Sequence, residues 1–394
     1  MAVRKLKDGI YSVGAIDWDR RLFDELIPLP DGTTYNTYIV KGEEKTALLD
    51  TVDPVKKDEL IGNLKSLGVE KIDYIIAHHA EQDHSGSIPD ILSLYPEAKV
   101  VTNEKCKSFL MDLLHIPEDK FIVVNDGDTL SLGGRTLKFI FTPWVHWPET
   151  MVTYLTLDNI LFTCDFFGSH YASSDLFVKD KEKVLEDAKR YYAEIMMPFR
   201  HQIKKNLEKI KDLKIDIIAP SHGLIYDEPE LIINAYKEWI SDEVKNMVLI
   251  PYVSMHGSTL KMVNYLVDAL IKRGIEVKPF NLSKTDIGEL AMALVDTATV
   301  VVGTPTVLAG PHPSVVYATY LVGVLRPKTK FISIIGSFGW GGKTVDTLKG
   351  LIPALKVEII EPLLIKGDPG EEDFKLIDEF ADKILSAHKK IGLL

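Results

Sequence analysis

Two rhythms of apolar and polar positions divide the chain near residue 247. Before that point, short apolar runs pair through polar turns. The runs TYNTYIV and TALLDT flank Gly42-Glu43-Glu44, a pattern that predicts a β-hairpin. A helix is predicted over about 55–67, followed by the run IDYIIA. KVVTN, FIVV, TLKFIFT, MVTYLTL and NILFT come next, all rich in β-branched and aromatic residues. A long charged helix is predicted over roughly 181–211, and a last strand, IDIIAP, runs into Ser221-His222-Gly223.

After residue 247 the rhythm becomes strand, loop, helix. MVLIPYV, EVKPFNL, TVVVGTP, TKFISIIGS and VEIIEPLLI read as strands, with helices expected over 259–273, 286–296, 314–325, 343–355 and 371–390. Such alternation predicts a doubly wound parallel sheet. The expected domains are therefore residues 1–247 and residues 248–394, each of a size that folds around its own core.

Composition narrows the function without choosing it. The 394 residues are 46% hydrophobic and 26% charged, ordinary values for a globular protein. A net charge of −11 argues against nucleic acid or an anionic membrane as partner. No apolar run approaches the length of a membrane span, and the N-terminal MAVRKLKDGIYSVG has no apolar core of a signal peptide. The expected location is cytoplasmic. The two cysteines, Cys106 and Cys164, make no disulfide framework and no four-thiolate iron–sulfur site.

The densest chemistry lies in His79-Ala80-Glu81-Gln82-Asp83-His84-Ser85-Gly86, directly after IDYIIA. Extended alternation would point His79, Glu81 and Asp83 one way, whereas a turn entering a helix at His84 would split the set between two metals. His146 follows TLKFIFTPWV, Asp165 follows NILFTC, and His222 follows IDIIAPS. Each is placed at the end of an apolar run, where a strand would deliver it to a common edge. This order of ligand types resembles the metallo-β-lactamase superfamily, whose hydrolases usually carry histidine where this chain has Glu81. The exchange adds a hard oxygen donor and a negative charge, and carboxylate with imidazole suits iron.

A second constellation lies in the C-terminal half. Ser254-Met255-His256-Gly257-Ser258-Thr259 joins a strand to a helix, a place where hydroxyls and backbone N–H groups bind phosphate. Thr304-Pro305-Thr306-Val307-Leu308-Ala309-Gly310 follows the third strand, and Ser337-Phe338-Gly339-Trp340-Gly341-Gly342 follows the fourth. Ligands bind at such strand ends in open parallel sheets, and Phe338 or Trp340 could stack on a flat ring. The three loops resemble the FMN site of flavodoxin.

Together the two constellations resemble a flavodiiron protein along the whole chain. The resemblance implies an N-terminal metallo-β-lactamase-like αββα sandwich followed by a C-terminal flavodoxin-like five-stranded parallel sheet. It implies one iron held by His79, Glu81 and His146, a second held by Asp83, His84 and His222, and Asp165 bridging them. All seven positions are present. His78 stands where the family often has asparagine, and His256 where it often has an aromatic. The resemblance suggests a pocket role for His170 and for one phenol of the pair Tyr191 and Tyr192. His115 and His201 carry no functional expectation.

The implied activity is reduction of dioxygen to water, of nitric oxide to nitrous oxide, or of both, by FMN and a non-haem iron pair. The sequence lacks the Cys-x-x-Cys pairs of the rubredoxin module that some relatives append, so the implied electron donor is a separate rubredoxin. A head-to-tail homodimer, or a dimer of dimers, is also implied, with the flavin of one chain facing the irons of the other. Two alternatives stay open: a zinc hydrolase of the same fold, and a flavodoxin-like electron carrier with a structural metal domain.

Overall fold

A computed structural model describes residues 3–394; Met1 and Ala2, which begin the stretch read as lacking a signal peptide, lie outside the described residues. One compact unit comprises the residues up to Tyr192 together with Phe199–Ile240, and the other comprises Ala193–Pro198 and Ser241–Leu394. The strand that opens the second unit starts at Lys245, so the division falls ahead of residue 247.

The first unit is built on two sheets. One has the order Arg4–Lys7, Ile10–Ser12, Tyr38–Lys41, Thr46–Leu49, Tyr74–Ile76, Lys99–Thr102, Phe121–Val123. The other has the order Thr129–Ser131, Thr136–Phe141, Met151–Leu155, Ile160–Cys164, Ile217–Pro220. The hairpin around Gly42-Glu43-Glu44 forms as expected, with Tyr38 opposite Leu49 and Lys41 opposite Thr46.

Side chains on a strand alternate between faces. Val40, Leu49, Ile76 and Val101 of the first sheet share one apolar cluster with Leu137, Phe139, Met151 and Phe162 of the second. Their neighbours Ile39, Leu48, Ile75 and Val100 are also fully buried, on the opposite face. A sheet buried on both faces is covered by helices on one of them; Lys57–Ser66 turns Leu60 and Leu64 inward, and Glu104–Leu114 turns Leu110 inward. The layers are those of the metallo-β-lactamase-like sandwich.

The helix expected over 181–211 is interrupted. It forms as Lys181–Tyr191 and Arg200–Ile210, with tighter and looser turns between them. Pro198 lies in that gap; it has no N–H to continue the ladder, and its ring clashes with the preceding turn.

In the second unit the strands lie in the order Glu276–Asn281, Lys245–Tyr252, Thr297–Val307, Phe331–Phe338, with a fifth position at the edge, all parallel. This is the flavodoxin-like order. The fifth strand is two pieces, Glu358–Ile359 and Leu363–Lys366, because Pro362 cannot donate to the ladder. The helix expected over 343–355 is only Thr344–Lys349, ending ahead of Gly350 and Pro353. Helices Ser258–Ile271 and Glu371–Lys390 pack Met262, Leu266, Ile377, Phe380 and Ile384 against Val248, Ile250 and Phe331 of the sheet.

A candidate metal centre and a candidate flavin cleft

After the strand Tyr74–Ile76 the chain turns through Glu81 into the short helix Gln82–Ser85. The change from extended to helical backbone separates the carboxylates of Glu81 and Asp83. The donor atoms of His79, Glu81, His146 and Asp165 lie within 4.8 Å of one another, and so do those of Asp83, His84 and His222. Glu81 Oε2 is 3.0 Å from Nε2 of both His79 and His146. Asp83 Oδ2 is 3.0 Å from His222 Nε2 and 3.2 Å from His84 Nε2.

Asp165 reaches both groups. Its Oδ2 lies 3.6 Å from Nε2 of His79 and of His146. Its Oδ1 lies 2.9 Å from His84 Nε2 and 3.5 Å from His222 Nε2. Cys164 adjoins this cluster, but burial pushes its thiol well above the ordinary range, so it stays neutral.

The donor atoms fit a pair of cations. Both oxygens of Asp83, and Oδ2 of Asp165, are buried with no hydrogen-bond donor, a costly state for an anion unless positive charge answers it. Burial opposes the charge on Glu81 and Asp165, yet the imidazoles around them hold both carboxyls well below the usual range. The same attraction, again against burial, pushes His84 up to about 10. Each group thus draws in opposite charge more strongly than burial repels it. Four imidazoles and three carboxylates divided around a shared Asp165 suit two iron ions.

Two of the four imidazoles are held from behind. Nδ1 of His79 lies 2.7 Å from Glu149 Oε1, which also accepts from the Ala80 N–H. Nδ1 of His222 donates to the Thr34 carbonyl at 2.6 Å. Such bonds fix the ring so that Nε2 faces a metal. Neither Glu149 nor Thr34 is evident from the sequence, although Glu149 follows closely on His146. His78 faces away, between Asp50 Oδ2 and Thr153 Oγ1, both at 2.7 Å, and holds strands together.

Of the two tyrosines, Tyr191 donates to Asp165 Oδ1 at 2.8 Å, while Tyr192 points to the Trp239 carbonyl. His170 stacks edge-on against Tyr191, with ring centroids 4.9 Å apart, and its Nδ1 meets Thr33 Oγ1 at 2.9 Å. His115 caps a helix in the left-handed conformation, and His201 lies exposed on Arg200–Ile210. A cavity of about 310 Å³ opens onto Glu81 and Asp83, bounded by Phe23, Asp24, Leu113 and Trp147. Burial, with Glu81 and Asp83 nearby, pushes the Asp24 carboxyl up to about 6. Sequence reading did not find Asp24 or Trp147, because nothing in a loop marks the wall of a pocket.

The second unit carries an open cleft of about 380 Å³ at the C-terminal strand ends. Its walls include Ser254, Met255, His256, Ser258, Thr259, Pro305, Thr306, Ser337, Phe338 and Gly339, from all three expected loops. Gly367 and Asp368 also line it and were not anticipated. Ser254 Oγ accepts from the N–H groups of Gly257 and Leu260, and Gly257 has φ +99°, which favours glycine. These bonds wind the loop into the start of helix Ser258–Ile271, where backbone N–H groups suit a phosphate. Thr304 lies behind the cleft, its hydroxyl bonded to the Pro305 carbonyl and the His312 N–H. Val307 and Gly310 pair across a tight turn made by Leu308 and Ala309, both at positive φ. Leu308 is 90% exposed and Trp340 66% exposed, and neither lines the cleft, nor do Gly341 and Gly342.

Fold and site define a class: a protein that joins a lactamase-type metal domain to a flavodoxin-type domain. A family model described as "ODP family beta lactamase" matches residues 33–223. The nitric oxide reductase of Moorella thermoacetica is 39% identical, over 96% of this chain and 97% of that one. The rubredoxin oxygen:oxidoreductase of Desulfovibrio gigas superposes with a TM-score of 0.95 at 31% identity, covering 98% of this chain and 99% of that one. The flavodiiron protein of Giardia intestinalis gives a TM-score of 0.92 at 28% identity, covering 99% and 98%. The chain belongs to the flavodiiron protein family, oxidoreductases that work with FMN and a non-haem iron pair.

Proposed function

We propose that this chain reduces dioxygen to water, nitric oxide to nitrous oxide, or both, with electrons from a separate rubredoxin-type donor. The observation that carries the reading is Asp165, one carboxylate whose two oxygens face two separate sets of donors. Bound there, the irons would supply the sites for the diatomic and, with FMN, the electrons: four for dioxygen, two for a pair of nitric oxide molecules.

The chain's own residues do the rest. Glu81 with His79 and His146, and Asp83 with His84 and His222, would hold one ion each, and Asp165 would keep the two close enough to share a substrate. Glu149 and the Thr34 carbonyl keep two imidazoles in the right tautomer. Phe23, Trp147 and Leu113 line the opening, and Tyr191 holds a proton against Asp165. In the second unit the Ser254–Thr259 loop would hold the phosphate of FMN, and Phe338 would lie against its ring.

A cytoplasmic head-to-tail homodimer completes the reading. Leu308, Met255 and Trp340 leave apolar surface exposed beside the flavin cleft, and such surface is usually covered in function. Among the described residues no helix is long and apolar enough to cross a membrane. The test is turnover of dioxygen and of nitric oxide, supplied separately, with reduced rubredoxin. Iron and FMN near two and one per chain, with turnover, are expected; zinc in place of iron, or no turnover of either gas, would overturn the reading. For the dimer, mixing a chain changed at Asp165→Ala with one whose whole Ser254–Thr259 loop is disrupted should recover activity that neither parent shows.

A further inference from the structure

Both proposed reactions consume protons: four with each dioxygen reduced to two waters, two with each pair of nitric oxide molecules reduced to nitrous oxide and water. Helix Lys181–Tyr191 offers a route. Lys183, Asp187 and Tyr191 stand four residues apart and so lie along one face, about 6 Å of rise from one to the next. At the outer end Lys183, part exposed, donates to Asp31 at 2.6 Å and to Asp187 Oδ1 at 2.9 Å. At the inner end Tyr191 donates to Asp165. Exposure falls along the series, from 31% for the Lys183 side chain to 5% for Asp187 and 1% for Tyr191.

Between those ends the polar atoms are buried and without partners. Asp187 Oδ2 and His170 Nε2 are in this state, and Ser169 Oγ and Tyr226 Oη have no partner but each other. Ser169 acts on the Tyr226 hydroxyl, as does the charge of Asp187, and the His170 ring lies against Tyr191. Several such atoms in one interior region call for ordered water between them. A structural salt bridge would need only the Lys183 contact on Oδ1; it would not need the second carboxylate oxygen buried without a donor.

We propose that Asp187 is the entry point of a proton path that runs along this helix face, through Tyr226, Ser169 and His170 and their bound water, to Tyr191 beside Asp165. The inference rests on the proposed reduction of dioxygen or nitric oxide. Each transfer moves one proton from donor oxygen or nitrogen to the next acceptor, and Asp187 is recharged from solvent past Lys183. The groups facing Asp187 are Lys183 and Glu186 on its own helix, Asp31 and Tyr226 from elsewhere. Burial outweighs the pull of Lys183, and with Asp31 and Glu186 nearby pushes the Asp187 carboxyl up to about 7, where it can both take and give a proton near neutrality.

The test uses full-length holoprotein with Asp187→Asn and Asp187→Glu. Infrared spectroscopy of the oxidised, resting protein should show a protonated carboxyl band that titrates near neutral pH and vanishes in Asp187→Asn. Reduced protein mixed with dioxygen in weak buffer should take up protons, read by an indicator dye, about 10²-fold more slowly in Asp187→Asn. Iron content and melting temperature should hold, and Asp187→Glu should restore most of the rate. Wild-type proton uptake in Asp187→Asn, or no titrating carboxyl band in the wild type, would overturn the path. Loss of iron in step with loss of rate would also overturn it, by showing a structural role. If the wild type consumes neither gas, the functional reading fails instead, and the infrared titration distinguishes the two failures.

Discussion

The two sites of this chain are built on opposite terms. The metal centre is made of side chains, five of the seven candidate ligands buried, whose charges are set against one another. The flavin cleft is made of loops, open to solvent, with hydroxyls and glycine-rich backbone in place of charge. Among the described residues, only Asp368 brings a carboxylate to the cleft, and it is ion-paired with Lys261. An ion needs charge fixed in space, which only a rigid core can hold; a large planar cofactor needs surface and a phosphate cradle, which loops at strand ends provide. The metal centre should therefore fail sharply under single substitutions, and the flavin cleft gradually.

The largest expected effect is at the shared carboxylate. Asp165→Ala should remove at least one metal and lower turnover by more than about 10²-fold, while the flavin absorbance stays; metal analysis and the visible spectrum check it. One shell outward, Glu149→Gln weakens the acceptor behind His79, so metal affinity should fall by about 10- to 100-fold, measured by competition with a chelator. A variant with unchanged affinity would show that the ring is held by packing alone.

On the other side of the comparison the effect shrinks. Ser254→Ala removes two loop bonds, and FMN affinity should fall by at most roughly thirtyfold at about 1 kcal/mol per net bond, read by fluorescence titration. A hundredfold loss would mean the cleft is as brittle as the metal centre and the contrast is wrong.

How much of this was legible in the sequence follows the same division. The clustering of the candidate ligands could be read because their residue types are concentrated in His79–His84 and then recur singly at the ends of apolar runs. The flavin loops could be read as three strand ends, but not which of their residues face the cleft: Leu308 and Trp340 point outward because a hairpin turn and a loop conformation decide that, not composition. Choosing Tyr191 over Tyr192 needed the phase of helix Lys181–Tyr191, set by packing. Glu149, Thr34 and Asp24 are isolated positions and leave no periodic trace. Pro198 and Pro362 were visible as residues, yet the apolar and charged rhythm around them ran on, and the rhythm was followed across the break.

The smallest effect lies at the end of the second unit's sheet opposite the flavin cleft. His388 is buried between Thr299 Oγ1 and Asn246 Oδ1, both at 2.7 Å, and burial lowers its pKa to about 4. Unfolded, it would titrate near 6.5. Between those values the unfolded chain binds more protons, so stability falls as pH falls through the window. The melting temperature of the second unit should drop by several degrees from pH 7 to pH 4.5, and His388→Gln should flatten that slope; a pH-independent melt would contradict the assignment.

The central claim is that the buried metal pair takes electrons from the flavin and delivers them to a diatomic gas. The most direct measurement is anaerobic stopped-flow: fully reduced protein is mixed with dioxygen, and separately with nitric oxide, while flavin absorbance is followed. The account predicts rapid reoxidation of the flavin by at least one gas in the wild-type chain and slow reoxidation in Asp165→Ala with its FMN intact. Equal rates in the two proteins would show that the flavin reacts by itself, and would contradict the account.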